Sequence, residues 1–305
     1  MNRRIIIIII AIIAVLILIR FAGCGKKKEA PKNDASRQSE VVFNNTVALS
    51  KKNPENSLEA FEKIASKFPA SIEAQKALVK IAEFYNKSDE LLLEKEALQK
   101  LINAYPQGEF TADAQARVGE INIKMLFSKA QTKNSIIHEV KPGDSLFKIA
   151  KQYNTNVELI MKVNGLKNSL IKPGMKLKIV TAVFKILVSK SDLTLKLIAD
   201  DEVINVYPIG IGKDNSTPVG QFKIVNRIVD PVWYKTGAIV PAGSAENILG
   251  PRWLGISEPG YGIHGTVDKQ PIRQQRTQGC IRMINKDVEE LFDIVPLNTE
   301  VIIND

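Results

Sequence analysis

The spacing of apolar residues divides the chain into segments with different periodicities. In residues 53–130, apolar side chains recur at every third and fourth position, as at Phe61, Ile64 and Phe68, and this period predicts amphipathic helices. From residue 183 onward, short alternating apolar runs lie between Gly- and Pro-rich stretches, which predicts a mostly-β segment. The region between them has the order strand, helix, helix, strand. At 305 residues, the chain is therefore predicted to contain two to three folded domains.

The N-terminal segment, residues 1–25, is predicted to be a signal or an anchor. A basic start is followed by an uninterrupted apolar run from Ile5 to Ile19, shorter than the about 17–25 residues of a spanning helix. Phe21-Ala22-Gly23-Cys24 then resembles a bacterial lipobox, which makes Cys24 a candidate lipidation site. An uncleaved transmembrane anchor is the alternative. Either way, the protein is expected to be extracytoplasmic and membrane-anchored, in a periplasm or cell envelope.

Residues 26–52 are polar and are predicted to be a flexible linker. The net charge of +9 is concentrated in residues 1–52, beside the apolar leader. Such a basic flank fits an anionic membrane or wall surface better than nucleic acid, and a solvated basic linker is an equally good interpretation. No nucleic-acid partner is therefore expected.

The helical segment contains an internal repeat with a period of 37 residues. This period is close to the ~34 residues of tetratricopeptide repeats, and the segment resembles that family. Two units are fewer than the three that stability usually requires, so Asp113–Phe127 is expected to act as a closing helix. A protein-docking surface and a helical spacer are both open as roles, and the spacer is favoured. The matched positions are Ala60, Phe61, Ile64, Phe68 and Pro69 with Ala97, Leu98, Leu101, Tyr105 and Pro106.

Residues 137–180 carry the motifs of one compact module. Pro142-Gly143-Asp144-Ser145 predicts a turn with a helix cap, and Asn164-Gly165 predicts the end of a second helix. Together with the later Ile-Lys-Pro-Gly-Met-Lys-Leu stretch, this βααβ unit resembles a LysM module. The resemblance implies binding to the N-acetylglucosamine-containing glycan of peptidoglycan or chitin. His138 is interpreted as a structural strand residue, since no further metal ligands lie near it in sequence.

Cys280 and His264 are the candidate catalytic residues. The chain has two cysteines and two histidines, and the other pair, Cys24 and His138, lies far upstream. A free thiol has a pKa of about 8.5, so a cysteine nucleophile at neutral pH needs a nearby base. Each of the two residues is flanked by glycine, which allows close approach of the backbone. The pattern indicates a thiol nucleophile with a histidine base, and a buried structural Cys and His are the alternative.

The surrounding residues resemble the signature of the YkuD-type L,D-transpeptidases. His264-Gly265-Thr266 is followed by Thr277-Gln278-Gly279-Cys280-Ile281-Arg282, and the stretches Ser216–Phe222 and Asn247–Trp253 fit the same family. The resemblance covers residues 183–305 and implies a mostly-β catalytic domain. It also implies a cysteine acyl-enzyme formed on peptidoglycan stem peptides, with no metal and no organic cofactor.

The resemblance further implies roles for the residues around the Cys–His pair. The Gly265 carbonyl would fix the tautomer of His264, and N–H groups at Gly279–Cys280 would stabilise an oxyanion. Arg282 is expected to face a carboxylate of the substrate. Thr277 fits the signature, whereas Gln278 stands where many members have histidine, which leaves His264 as the only histidine base. Trp233, Trp253 and Tyr261 are candidates for the walls of the groove, although core packing would explain them equally well.

The predicted function is the formation of 3–3 cross-links between stem peptides, or the attachment of a partner to them. One alternative is an L,D-carboxypeptidase that uses the same acyl-enzyme. The other alternative is a catalytically inactive, peptidoglycan-binding anchor. The expected partners are glycan strands and stem peptides, and the membrane through the N-terminal anchor. A protein partner of the helical repeats is expected only if they serve as a docking surface.

Overall fold

The computed structural model describes residues 34–235, 237–268 and 270–305. The predicted signal or anchor, with Cys24, lies outside the described residues. The chain divides into two compact units, with the boundary between Phe84 and Tyr85. In the described ranges, no helix combines the length and the apolar character needed to cross a membrane.

The first unit is helical, and its helical structure begins at Asp34, earlier than the sequence predicts. The flexible linker predicted over residues 26–52 is wrong from residue 34 onward, where α1 begins. The buried Ser39 hydroxyl donates a hydrogen bond to the Glu73 carboxylate at 2.9 Å, and the Phe43 ring lies 5.9 Å from the Phe61 ring. These tertiary contacts hold α1 in place, although its polar composition does not predict a helix. The helices are α1 (Asp34–Ser50), α2 (Pro54–Lys67) and α3 (Ile72–Lys87), the last ending just beyond the boundary.

The 37-residue period appears in the helices themselves. Helix α4 (Leu91–Ala104) lies 37 residues after α2 and has the same length of 14 residues. Both helices end alike, because the Phe68 and Tyr105 N–H groups donate to the carbonyls four residues earlier. A proline follows each cap and cannot continue the helix. The helical prediction is therefore confirmed, while the assignment to tetratricopeptide repeats stays a prediction.

The strand–helix–helix–strand module has the predicted order. Ser145 and Asn156 cap its two helices by accepting backbone N–H groups, and Gly165 ends the second helix with φ of +65°. His138 is buried, with its ring nitrogens 3.0 Å from the Asp144 carboxylate and 3.1 Å from the Tyr153 hydroxyl. The histidine therefore ties the first strand to the turn and the helix. The elements are β1 (Ser135–Glu139), α6 (Leu146–Gln152), α7 (Val157–Asn164) and β2 (Lys176–Val180), and α5 (Thr111–Phe127) precedes them.

An eight-stranded mixed sheet forms the C-terminal domain of the described chain, in the order β13-β11-β10-β7-β14-β3-β4-β5. Helix α8 (Asn285–Ile294) buries Val288, Leu291 and Phe292, as its periodicity predicts. Two small ribbons, β6–β12 and β8–β9, lie beside the sheet. The strands are β3 (Phe184–Ser189), β4 (Thr194–Ala199), β5 (Glu202–Pro208), β6 (Ile211–Gly212), β7 (Gly220–Val229), β8 (Trp233–Lys235), β9 (Ala238–Val240), β10 (Arg252–Ile256), β11 (Gly262–His264), β12 (Gln275–Thr277), β13 (Ile281–Arg282) and β14 (Glu300–Asn304).

Helix α5 covers the edge strand β5 and so packs against the sheet. The Asn122 side-chain amide donates to the Ile204 carbonyl at 2.9 Å, which satisfies a backbone group at the sheet edge. A Cβ at Gly119 would lie 2.0 Å from the Asn205 side chain, so the helix approaches closely only because this residue is glycine. Ile123 is buried in the same hydrophobic core as the sheet. Helix α5, which the sequence predicts as a closing helix, therefore packs on the β-domain as well as on α4.

The βααβ module is also fused to the sheet domain. Leu159 and Val163 of α7 belong to the core that α8 and the sheet share. The Asn156 side chain donates to the Ile294 carbonyl at 3.0 Å, and Arg227 pairs with Glu158 at 3.1 Å. The module therefore keeps a core of its own and also packs on the β-domain through α7.

We expect Ile123→Ala to destabilise the β-domain although it lies in the helical segment. Removing a buried isoleucine side chain costs about 2–5 kcal/mol, and the melting temperature falls by roughly 2–4 °C per kcal/mol in a domain of this size. Leu92→Ala, at an exposed position of α4, is the matched control and should change little. Thermal unfolding followed by tryptophan fluorescence reports on the β-domain, which contains both Trp233 and Trp253. Equal melting temperatures for both variants would contradict the docking of α5.

Candidate active site

Strand pairing brings Cys280 and His264 to one cavity. His264 ends β11, and Cys280 directly precedes β13, which pairs with β11 in parallel. The Met283 N–H donates to the His264 carbonyl at 2.8 Å and fixes this register. The cavity has a volume of about 580 Å³ and is lined by Ile228, Pro231, Val232, Trp233, Tyr234, Ile248, Leu249, Trp253, Gly260, Tyr261, His264, Thr277, Gln278 and Cys280.

The orientation of His264 is fixed by its immediate neighbours. Its ring is 2% exposed and stacks on Trp253 with the ring centroids 5.9 Å apart. Nδ1 lies 2.7 Å from the Gly265 carbonyl oxygen, and because a carbonyl only accepts, Nδ1 carries the proton. The opposite nitrogen, Nε2, is therefore unprotonated in the neutral ring. A contact of this kind is what the family resemblance implies for Gly265, whose role in catalysis stays a prediction.

Burial keeps both members of the pair uncharged. It lowers the pKa of His264 to about 4, with the positive charge of Arg282 acting in the same direction. Burial also raises the pKa of the Cys280 thiol. At neutral pH, the site therefore holds a neutral imidazole and a protonated thiol instead of an ion pair.

The backbone around Cys280 requires glycine at position 279. Gly279 has φ of +127°, and a Cβ there would lie 2.4 Å from the Tyr261 ring. Thr277 shapes the same turn, because its hydroxyl donates to the Cys280 carbonyl at 2.6 Å and accepts the Gly279 N–H at 3.2 Å. Gln278 and Thr277 both reach the cavity wall.

Arg282 lies away from the cavity, in contrast to the expectation that it faces the substrate. Its guanidinium is buried and donates to the Asp268 carboxylate at 2.9 Å and to the Pro271 carbonyl at 3.2 Å. Both partners belong to the loop between β11 and β12. Sequence reasoning could not show this contact, because Asp268 and Arg282 lie 14 positions apart in the chain and meet only in the folded structure. Arg282 therefore holds the loop.

Thr217 contacts the backbone beside Cys280. Sequence reasoning did not identify it as a site residue, because it lies 63 positions before Cys280. Its buried hydroxyl lies 2.8 Å from both the Gly212 nitrogen and the Gly279 oxygen. Trp233, Trp253 and Tyr261, by contrast, line the cavity as anticipated. Within the described ranges, no cluster of three or more His, Cys, Asp or Glu residues could hold a metal ion.

Cys280 and His264 lie on the wall of one cavity, and comparisons with known proteins identify the class of protein that this fold and cavity belong to. The sequence profile of the L,D-transpeptidase catalytic domain matches residues 184–303, and that of the LysM domain matches residues 138–180. Residues 34–130 lie outside both matches.

Curated relatives support the same class. A protein of Bacillus licheniformis named L,D-transpeptidase YkuD is 35% identical over 54% of this chain and 97% of its own length. The Bacillus subtilis protein of that name is 36% identical over 55% of this chain and 99% of its own length. L,D-transpeptidase YqjB of Bacillus subtilis is 36% identical over 39% of this chain and 70% of its own length. The chain therefore belongs to the YkuD family of L,D-transpeptidases.

We expect Gly279→Ala to remove most of the reactivity of Cys280 toward acyl donors. The new methyl group would collide with Tyr261 and force the backbone out of its positive φ, which shifts the Cys280 N–H and thiol. Gly143→Ala, at φ of +86° with open space around it, is the control and should cost only the about 1–2 kcal/mol of a left-handed backbone. Acylation followed by intact-protein mass spectrometry measures the effect; an unchanged rate in Gly279→Ala would show that the close contact is unimportant.

Proposed function

We propose that this L,D-transpeptidase acts through an acyl-enzyme on Cys280, with His264 as the general base. The observation that carries the proposal is the shared cavity, in which the Nδ1–H of His264 is fixed to the Gly265 carbonyl. Because Nδ1 is occupied, Nε2 is the nitrogen available to take the thiol proton.

In the first half-reaction, the Cys280 sulfur attacks the carbonyl of the third stem residue and its proton passes to His264. The N–H of Cys280 stabilises the tetrahedral oxyanion, since the Gly279 N–H is donated to the Thr277 hydroxyl. When the C–N bond breaks, the imidazolium returns the proton to the departing amine of the terminal D-alanine. In the second half-reaction, the amine of another stem attacks the thioester, which forms a 3–3 cross-link and restores the thiol.

The neutral resting pair makes proton transfer part of the attack. A raised thiol pKa leaves little thiolate in the resting enzyme, so the sulfur becomes nucleophilic only as His264 accepts its proton. The low pKa of the imidazole makes it a weak base but a good proton donor to the leaving amine. Neither half-reaction needs a metal or an organic cofactor.

We expect a carbapenem, which presents a strained acyl group, to form a single covalent adduct at Cys280. Cys280→Ala should abolish the adduct and all turnover. His264→Ala should slow acylation by about 10²–10⁴-fold, and the loss should shrink as pH rises and the thiol ionises unaided. Because the pKa of His264 is about 4, wild-type acylation should change little between about pH 6 and pH 8.

Mass spectrometry of the intact protein and of the Cys280 peptide measures these effects. A wild-type rate that falls toward pH 6 would contradict a base with a low pKa, and turnover in Cys280→Ala would exclude the mechanism. Muropeptide analysis separates the alternatives, because a carboxypeptidase releases D-alanine without dimers. A folded wild type that is never acylated would be an inactive anchor.

We assign glycan binding to the LysM module and stem-peptide binding to the cavity. Two large apolar side chains of the module, Phe147 and Leu170, are 72% and 78% exposed, and apolar surface of this kind suits the faces of sugar rings. Peptidoglycan-acting domains place the protein outside the cytoplasm. The attachment of residues 1–25 to a membrane, through a lipid on Cys24 or through an uncleaved anchor, is part of the proposal.

The helical repeats are proposed to act as a spacer or a protein-docking surface between this attachment and the wall. Helix α5 has an additional structural role, because it covers strand β5 at the edge of the sheet. Any protein partner of the repeats would therefore bind elsewhere than the β5-facing side of α5.

We expect the double change Phe147→Ser and Leu170→Ser to weaken binding of the whole chain to purified sacculi. Both side chains are exposed, so the fold should persist, and carbapenem acylation of Cys280 should be unchanged. Leu92→Ser, equally exposed but in α4, is the matched control and should bind normally. Sacculus co-sedimentation gives the measurement, and undiminished binding of the double variant would place the glycan site elsewhere.

A further inference from the structure

We propose that Thr217 is a positioning residue that aims the Cys280 N–H at the oxyanion formed during acylation. The inference rests on the proposed function, in which Cys280 attacks an acyl carbon. It concerns the peptide unit between Gly279 and Cys280, whose carbonyl belongs to one residue and whose N–H belongs to the other.

The direction of the Thr217 hydroxyl proton is determined by its two partners. The side chain is 2% exposed, so no bulk water competes for it. Its oxygen accepts the Gly212 N–H at 2.8 Å, since a backbone nitrogen can only donate. The single hydroxyl proton is therefore donated to the Gly279 carbonyl, also at 2.8 Å. One threonine thus fixes the rotation of the peptide unit that precedes the nucleophile.

Fixing this carbonyl also fixes the N–H of Cys280. The described chain contains no cis peptide bonds, and in a trans peptide the C=O and N–H of one unit point in opposite directions. The N–H therefore points away from Thr217. In the described ranges it has no backbone acceptor, whereas the neighbouring Gly279 N–H is taken by Thr277. The Cys280 N–H is thus the free donor beside the sulfur.

Close packing around the turn prevents a backbone shift that would compensate for loss of the Thr217 hydroxyl. A Cβ on Gly212 would lie 2.7 Å from the Gly279 Cα and 2.3 Å from the Ser216 hydroxyl. On the other side, the Tyr261 ring approaches Gly279 closely. The backbone position is therefore set by contact, and the hydroxyl of Thr217 sets the remaining freedom, which is rotation of the peptide plane.

Two reagents that attack the same thiol separate this role from general support of the fold. A carbapenem reacts at a carbonyl: the sulfur–carbon bond forms, the lactam C–N bond breaks, and an oxyanion appears between these events. Iodoacetamide reacts at its CH₂ carbon, where the sulfur displaces iodide and no oxyanion forms. Loss of oxyanion orientation should slow the first reaction and spare the second.

We expect Thr217→Val to slow carbapenem acylation by roughly tenfold or more, since complete loss of one oxyanion donor costs about 10²–10³-fold. Its rate of alkylation by iodoacetamide, and the pH dependence of that rate, should match the wild type. Thr217→Ser keeps the hydroxyl and should restore most of the acylation rate. Thr217→Ala is measured in parallel, so that a second variant without the hydroxyl is available if Thr217→Val does not fold.

Thr299→Val is the matched control. Thr299 is also buried and donates its hydroxyl to a backbone carbonyl, that of Pro296, far in sequence from the Cys280 turn. Its ratio of acylation to alkylation should equal that of the wild type. Equal slowing of both reactions in the Thr217 variants, or unchanged acylation, would overturn the inference alone. Failure of the wild type to acylate would overturn the proposed function and this inference together.

Discussion

The active site depends on the parallel register between β11 and β13 at one edge of the sheet. Each strand is only two or three residues long, yet their pairing sets His264 opposite Arg282 and brings the preceding Cys280 to the same cavity. The loop between the two strands must return the chain to the same end of the sheet. The buried Arg282 guanidinium holds this loop through Asp268 and Pro271. The position of Cys280 thus rests on a short ladder and on the ion pair between Arg282 and Asp268.

The sequence predicted most of the elements, since their periodicities are strong. The βααβ module and helix α8 appear where apolar spacing and capping residues place them. Helix α1 was missed because its stability comes from tertiary contacts, such as the Ser39–Glu73 hydrogen bond, which composition does not reveal. The packing of α5 and of the LysM helix α7 against the core of the sheet could not be predicted either, because periodicity shows which face of a helix is buried but not which element covers it.

Part of the candidate site could likewise be predicted from the sequence, and part of it could not. Cys280 and His264 could be proposed from the sequence because few residue types can act as nucleophile or base and the chain contains few cysteines and histidines, while Gly265 follows from the family resemblance; their roles stay predictions. The prediction that Arg282 faces the substrate differs from the structure for a physical reason. The sequence shows that a cation is present but not which carboxylate neutralises it, and here Asp268 does so. Thr217 could only be found in three dimensions, because its partners lie at residues 212 and 279.

The raised pKa of Cys280 has a consequence for survival of the enzyme outside the cytoplasm. Peroxides and disulfides react with thiolates far faster than with protonated thiols. A resting cysteine with an elevated pKa therefore oxidises slowly, even though the protein works where no glutathione pool repairs it. The low thiolate fraction that burial imposes on Cys280 thus favours its persistence as a free thiol.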